Sequence, residues 1–207
     1  IAVDQAVSSQ MGQCVKTGSL LKVPQHTLLN LNGDWTIEAW VKFNSFTANN
    51  NMYLLWKPGD MDTYQSNYSL ELNPWWGNTF YAYCFSELNS RIGVGSNTSP
   101  SLNEWYHVAF VRDTHAKQLN LYVRDKYRTL IESRTLSYSP EEILLNSNDL
   151  RIGVNMDGYL DEIRISNTVR KFTNTGNENP NYKNSFIVVP NPVTERVVLS
   201  GLEDKSQ

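Results

Sequence analysis

"WTIEAWVKF", residues 35–43, decides the fold. Trp35, Ile37, Ala39, Val41 and Phe43 recur at every second position, the spacing at which strand side chains fall on one face. The same rhythm returns in "MYLLWK" (52–57), "YSLELN" (68–73), "FYAYCFS" (80–86), "EWYHVAFVRD" (104–113), "LNLYVRD" (119–125), "LRIGV" (150–154) and "YLDEIRIS" (159–166). Turn-forming stretches, "NLNGD", "KPGDMD", "NPWWGN" and "NSNDL", separate these segments. One helical turn is expected at "SPEEILL" (139–145), where Ser139 can cap and Pro140 suits the first position. Many short strands with short connections predict an all-β fold: two antiparallel sheets packed face to face as a jelly-roll sandwich. Aromatic residues, 12% of the chain, suit such pleated surfaces.

The bulk composition excludes several function classes. A chain of 207 residues can bury a substantial core without a disulfide scaffold. With a net charge of −3 and no long block of one sign, nucleic-acid binding is not expected. No apolar run reaches the roughly 18 residues of a membrane span. Cys14 and Cys84 read either as a disulfide closing a long loop or as two buried thiols. Opening on Ile1 marks the chain as processed or excerpted, so an export signal would be out of view.

Four stretches in order, "DWTIEAWVKF", "NEWYHVAFVRD", "LNLYV" and "LRIGV" leading into "DGYLDEIRIS", carry a resemblance. Together they resemble the laminin-G-like branch of the concanavalin A-like lectin and glucanase superfamily over residues 1–173. "YVRDKYRT" departs from that pattern, which usually has a Gly turn there. Residues 174–185, polar and rich in Asn, read as a linker. Residues 186–207, with Pro190, Asn191 and Pro192, resemble the opening of a type IX secretion sorting domain of Bacteroidota, cut short. The resemblances imply a secreted or cell-surface protein, an adhesin or targeting module that meets type IX components through its tail.

"DGYLDEIRIS" (157–166) poses the question of catalysis. In a regular strand Tyr159, Asp161, Ile163 and Ile165 point one way, and Leu160, Glu162 and Arg164 the other. Asp161 and Glu162 would then be unable to converge on one glycosidic bond, and the Glu-x-Asp-x-x-Glu pattern of laminarinase-type enzymes is not present. A noncatalytic module is expected, with Glu38 and Glu71 as the conceivable acids of a competing hydrolase or lyase.

On this reading Asp161 shares its face with Ile163 and Ile165, so its charge needs compensation. The resemblance implies a structural Ca²⁺ held by Asp161 with Asp4 and carbonyl oxygens. Alternatively, Asp161 ties down its loop through backbone N–H groups. Asp60 and Asp62 offer a second calcium loop or a solvated turn. Trp40 and Trp105 are expected to pack, and His107 to be a hydrogen-bonded structural residue. "NPWWGN" differs, because adjacent Trp75 and Trp76 cannot both turn inward. They are candidates for stacking on sugar rings, with Tyr81, Tyr83 and Arg91 extending the surface, or for capping one end of the sandwich. The expected ligand is a glycan or another surface ligand. A passenger of the secretion machinery is the remaining alternative.

Overall fold

In the computed structural model the described residues are 14–18, 21–59, 66–88, 90–139, 143 and 145–173, with the backbone of 185–190 and 197–200. Their strands are β1 (Val15–Lys16), β2 (Leu21–Val23), β3 (Trp35–Ser45), β4 (Met52–Lys57), β5 (Tyr68–Asn73), β6 (Thr79–Phe85) and β7 (Arg91–Gly95). There follow β8 (Trp105–Asp113), β9 (Gln118–Arg124), β10 (Leu130–Ser137), β11 (Leu150–Val154), β12 (Asp157–Ser166), β13 (Ser185–Pro190) and β14 (Val197–Ser200). All eight segments read from the sequence alternation are strands. The expected helical turn falls on residues 140–142 and 144, outside the described residues, while Ile143 bridges Ser86.

The strands form two antiparallel sheets. The larger runs β10-β9-β8-β3-β12-β13-β14, with β1 also on β12; the smaller runs β2-β11-β4-β5-β6-β7. β12 therefore has two short neighbours along one edge: β1 pairs at Tyr159 and Leu160, and β13 at Arg164 to Ser166. Between the sheets lies one apolar layer. β3 contributes Trp35, Ile37, Ala39, Val41 and Phe43, β9 contributes Leu119, Leu121 and Val123, and β5 faces them with Tyr68, Leu70 and Leu72. Trp35 meets Phe110 edge to face at 4.8 Å, a geometry that adds about 1 kcal/mol to simple area burial.

One feature of β12 overturns the regular alternation. Asp161 pairs with Trp40 and Arg164 with Glu38, so three steps on β12 oppose two on β3. The extra residue is Glu162, in the left-handed region at φ +46°. Leu160 before the bulge and Ile163 and Ile165 after it all enter the core. Asp161 does not share the face of Ile163 and Ile165; it lies on the opposite side, beside Trp40. Its Oδ1 accepts the Glu162 N–H at 2.8 Å, satisfying the amide that the bulge displaces. Glu162 turns toward Arg164, 3.6 Å away, and Arg164 toward Glu38 at 3.9 Å.

The outer face of the larger sheet is closed. Glu38 lies 3.0 Å from the Nε2 of His107 and also contacts Arg170, which follows β12. Phe172, from the same segment, is buried against Ala109, Val111 and Tyr122. Cys14, Trp40, Trp105 and Tyr159 form a second cluster on this face. Trp40, Trp105 and His107 are thus packing residues, as their strand positions implied. Cys84 sits in the inter-sheet core, so the two cysteines are separate buried thiols.

Gly158 shows how tightly β12 meets β3. A Cβ there would lie 2.1 Å from the Lys42 carbonyl oxygen. Gly158→Ala is expected to lower unfolding stability by about 2 kcal/mol or more in urea titration. Gly33→Ala, where a Cβ meets nothing within 4 Å, should stay within about 0.5 kcal/mol. Equal effects would show that β12 can move away from β3.

Candidate functional site

The outer face of the smaller sheet is built differently. In β5 Tyr68, Leu70 and Leu72 point to the core, which sends Ser69, Glu71 and Asn73 outward. Cross-strand register then lines up two rows. One runs Tyr53, Glu71, Tyr81, Gly95; the other runs Arg151, Trp56, Ser69, Tyr83, Gly93. Rings from β4 and β6 thus flank the polar side chains of β5. Tyr53 and Trp56 stack at 4.5 Å, which a register shift between Tyr53 and Leu55 allows by placing both on one face. Tyr81 and Tyr83 approach to 5.6 Å, and Trp76 meets Tyr81 edge to face at 4.8 Å.

The glycines of β7 are part of this arrangement. A Cβ on Gly93 would fall 2.3 Å from the Tyr81 hydroxyl oxygen and 2.8 Å from the Tyr83 Cβ. Bare backbone lets the Tyr81 ring lie down across β7. Arg91, the exposed first residue of β7, places its guanidinium 5.7 Å from the Tyr81 ring and 5.6 Å from that of Tyr83. At the other margin Arg151 lies 5.1 Å over Trp56.

Glu71 is the buried centre of the face, 1% exposed. Its Oε1 accepts from Asn51 at 2.7 Å and its Oε2 from Ser69 at 3.1 Å. Desolvation raises its pKa from 4.5 to about 7, against the opposing pull of Ser69, Arg91, Asn73 and Asn51. Burial also raises the phenols of Tyr53, Tyr81 and Tyr83, with the Glu71 charge adding to each shift.

Of the residues singled out in the sequence, Trp76, Tyr81, Tyr83 and Arg91 come together here. Trp75 is 63% exposed and makes no ring contact with the described residues. The "NPWW" stretch is a 3-10 turn, Pro74–Trp76, capped by the Asn73 side chain and ended by Gly77 in the left-handed region. Tyr53, Trp56 and Arg151 escaped the sequence reading because only cross-strand register brings them to this face. The sequence marks Glu71 only as a conceivable acid; the polar alternation Ser69, Glu71, Asn73 is the signal that it belongs to an outward surface.

Glu38 and Glu71 do not form a catalytic pair. They lie on the outer faces of different sheets, with the apolar core between them. Asp4, Asp60 and Asp62 are outside the described residues. Among the described residues no three His, Cys, Asp or Glu side chains gather to hold a metal ion. Asp161 accepts the Glu162 amide through its Oδ1. Among the described residues no helix is long and apolar enough to cross a membrane.

Residues 16–173 match the concanavalin A-like lectin/glucanases superfamily, in its laminin G branch. The chain belongs to this superfamily. The fold is shared with the CBM40 of the Ruminococcus gnavus IT-sialidase, solved bound to α2,3-sialyllactose: TM-score 0.61, 14% identity, 75% of this chain and 90% of that one. The LG1-3 region of the laminin α2 chain gives 0.54 at 17% identity, over 77% of this chain and 31% of that one. The enzymatically active domain of tailspike protein 2 from bacteriophage CBA120 gives 0.54 at 11% identity, over 80% and 27%. Among curated proteins none matches the chain in sequence.

The raised carboxyl of Glu71 has a signature in stability. Between pH 4.5 and about 7 the folded state keeps a proton that the unfolded state has lost. This contribution is complete below pH 4.5, falls as pH rises to about 7, and is flat above. Glu71→Gln should therefore stabilise the domain at pH 8, by on the order of 2 kcal/mol, and leave it little changed at pH 4. Urea titrations of both proteins across this range measure the difference; a gap that does not vary with pH would contradict the assignment.

Proposed function

We propose that this domain is a noncatalytic carbohydrate-recognition module that binds sugar on the outer face of its smaller sheet. The observation that carries the reading is the cross-strand arrangement itself. Aromatic rings of Tyr53, Trp56, Tyr81, Tyr83 and Trp76 surround Ser69, Glu71 and Asn73. Such a surface suits pyranose rings, whose C–H faces can stack on the accessible rings of Tyr53, Trp56 and Trp76, while the buried Ser69, Glu71 and Asn73 hold the sheet beneath them. That a module of the same fold was solved with sialyllactose supports the choice of ligand class. Trp75 and Trp76 would add contacts at the rim.

A hydrolase is the second reading, favoured by one observation: a carboxyl group with a pKa near 7 suits a general acid. Glycosidic cleavage, however, needs a second carboxyl group across the sugar. Among the described residues the charge acting on Glu71 is that of Arg91, and no other carboxylate contributes to its shift. The binding reading therefore stands ahead of the catalytic one.

We also propose that the protein is exported and acts at the cell surface or beyond, as an adhesin or targeting module. Pro190, Asn191 and Pro192 support this through their likeness to a type IX sorting motif. A structural calcium ion on Asp161 and Asp4 would be remote from the aromatic face in this account, so it would affect stability rather than sugar contact.

A glycan array probed with the wild-type domain, with and without chelator, tests the proposal. Binding to a defined set of glycans is expected, unchanged by chelator. Trp76→Ala should weaken it about tenfold, or about 1.4 kcal/mol, and Trp75→Ala less. Full binding in the Trp75→Ala/Trp76→Ala double variant would remove these rim tryptophans from the ligand surface.

A further inference from the structure

Arginine side chains elsewhere in the fold are engaged. Arg112 donates to the Asn32 and Gly33 carbonyls, Arg124 to that of Thr173, Arg134 pairs with Glu132, and Arg164 and Arg170 contact Glu38. Arg128 also has a partner. Among the described arginines, only Arg91 and Arg151 have neither a hydrogen bond nor an ion pair.

Both belong to the same outer face, at its two margins, and each holds its guanidinium over aromatic rings of that face. Arg91 lies over Tyr81 and Tyr83, and Arg151 over Trp56. Ring stacking engages the flat side of a guanidinium and leaves the N–H edge for a planar or tetrahedral oxyanion. Lys22, exposed and in register with Arg151, adds positive charge at that margin. β7 and β11 are separated by β6, β5 and β4, so the two margins stand about 19 Å apart, four strand spacings of roughly 4.8 Å. The carboxyl group between them, Glu71, is almost fully buried and hydrogen-bonded to Asn51 and Ser69. Arg91 and Glu71 act on each other electrostatically, but Glu71 is buried whereas Arg91 and Lys22 present their charges at the surface.

We infer that the ligand is an anionic oligosaccharide, carrying carboxylate or sulfate groups that meet Arg91 and Arg151 at opposite margins of the aromatic face. The inference rests on the sugar-binding reading above and narrows it to acidic glycans. Each guanidinium would supply a paired N–H contact to one acid group, and the rings between would carry the intervening sugars. A neutral chain would leave both margins without a counter-charge.

The test measures binding of the wild-type domain to three probes by calorimetry: tetragalacturonate for carboxylate, a heparin-derived tetrasaccharide for sulfate, and cellotetraose as the neutral chain. At least one acidic probe is expected to bind tenfold or more tightly than cellotetraose, with affinity falling as NaCl is raised. Whichever acidic probe binds identifies the charged group. In Arg91→Gln and Arg151→Gln the affinity should fall about tenfold each, and the acidic preference should vanish in the double variant. Arg134→Gln, on the larger sheet, controls for net charge and should leave affinity within twofold. Tight cellotetraose binding that depends on Trp76, without preference for either acid, would overturn the inference and keep the sugar-binding reading. Acid preference that survives in the double variant would also overturn it. No binding to any probe would overturn the inference, and the array result then decides whether the broader reading falls with it.

Discussion

Burial of β3 on both sides is the constraint on which the rest depends. Its inward residues, Trp35 to Phe43 in alternation, supply the middle of the core, and its outward residues Glu38 and Trp40 are buried as well. A buried carboxylate is costly unless paired, and here Glu38 gathers His107, Arg164 and Arg170. Arg170 and Phe172 belong to the segment after β12, so this pairing brings the segment across the larger sheet. The larger sheet is closed as a result, and the smaller sheet carries the face on which we propose ligand contact.

The smaller sheet treats its central acid in the opposite way. Glu71 has neutral hydrogen-bond donors, Asn51 and Ser69, and tyrosine rings on both sides. Without a contacting cation, desolvation dominates and the proton is held more tightly. The two glutamates differ little in burial, 3% for Glu38 and 1% for Glu71, yet one anchors a covering segment and the other lies beneath aromatic rings of β4 and β6. What separates them is the company that cross-strand register gives each.

The sandwich was legible because period-two alternation marks every long strand that faces the core. β7 and β10 were not. "RIGVG" has too few side chains to show a rhythm, and β10 is exposed along most of its length, so neither of its faces is marked by burial. Alternation also misread β12. A bulge with a left-handed residue is commonly signalled by Gly or Asn, and Glu162 gives no such sign. The expected separation of Asp161 and Glu162 thus rested on a regularity the strand does not have. At the candidate site, Trp76, Tyr81, Tyr83 and Arg91 could be read because they are close in sequence. Tyr53, Trp56 and Arg151 reach the same face from distant strands, which a single strand's pattern cannot reveal.

The six tryptophans provide the most direct test, because they are divided among the three environments that the account distinguishes. Trp35 is in the core, Trp40 and Trp105 lie on the closed face, and Trp56 and Trp76 border the aromatic face with Trp75 at its rim. Titration of the ¹⁵N-labelled domain with a bound oligosaccharide, followed through the indole N–H signals, should move those of Trp56 and Trp76 and leave those of Trp35, Trp40 and Trp105 in place. Movement of the Trp40 and Trp105 signals with Trp56 and Trp76 unchanged would put the ligand on the larger sheet and contradict the account.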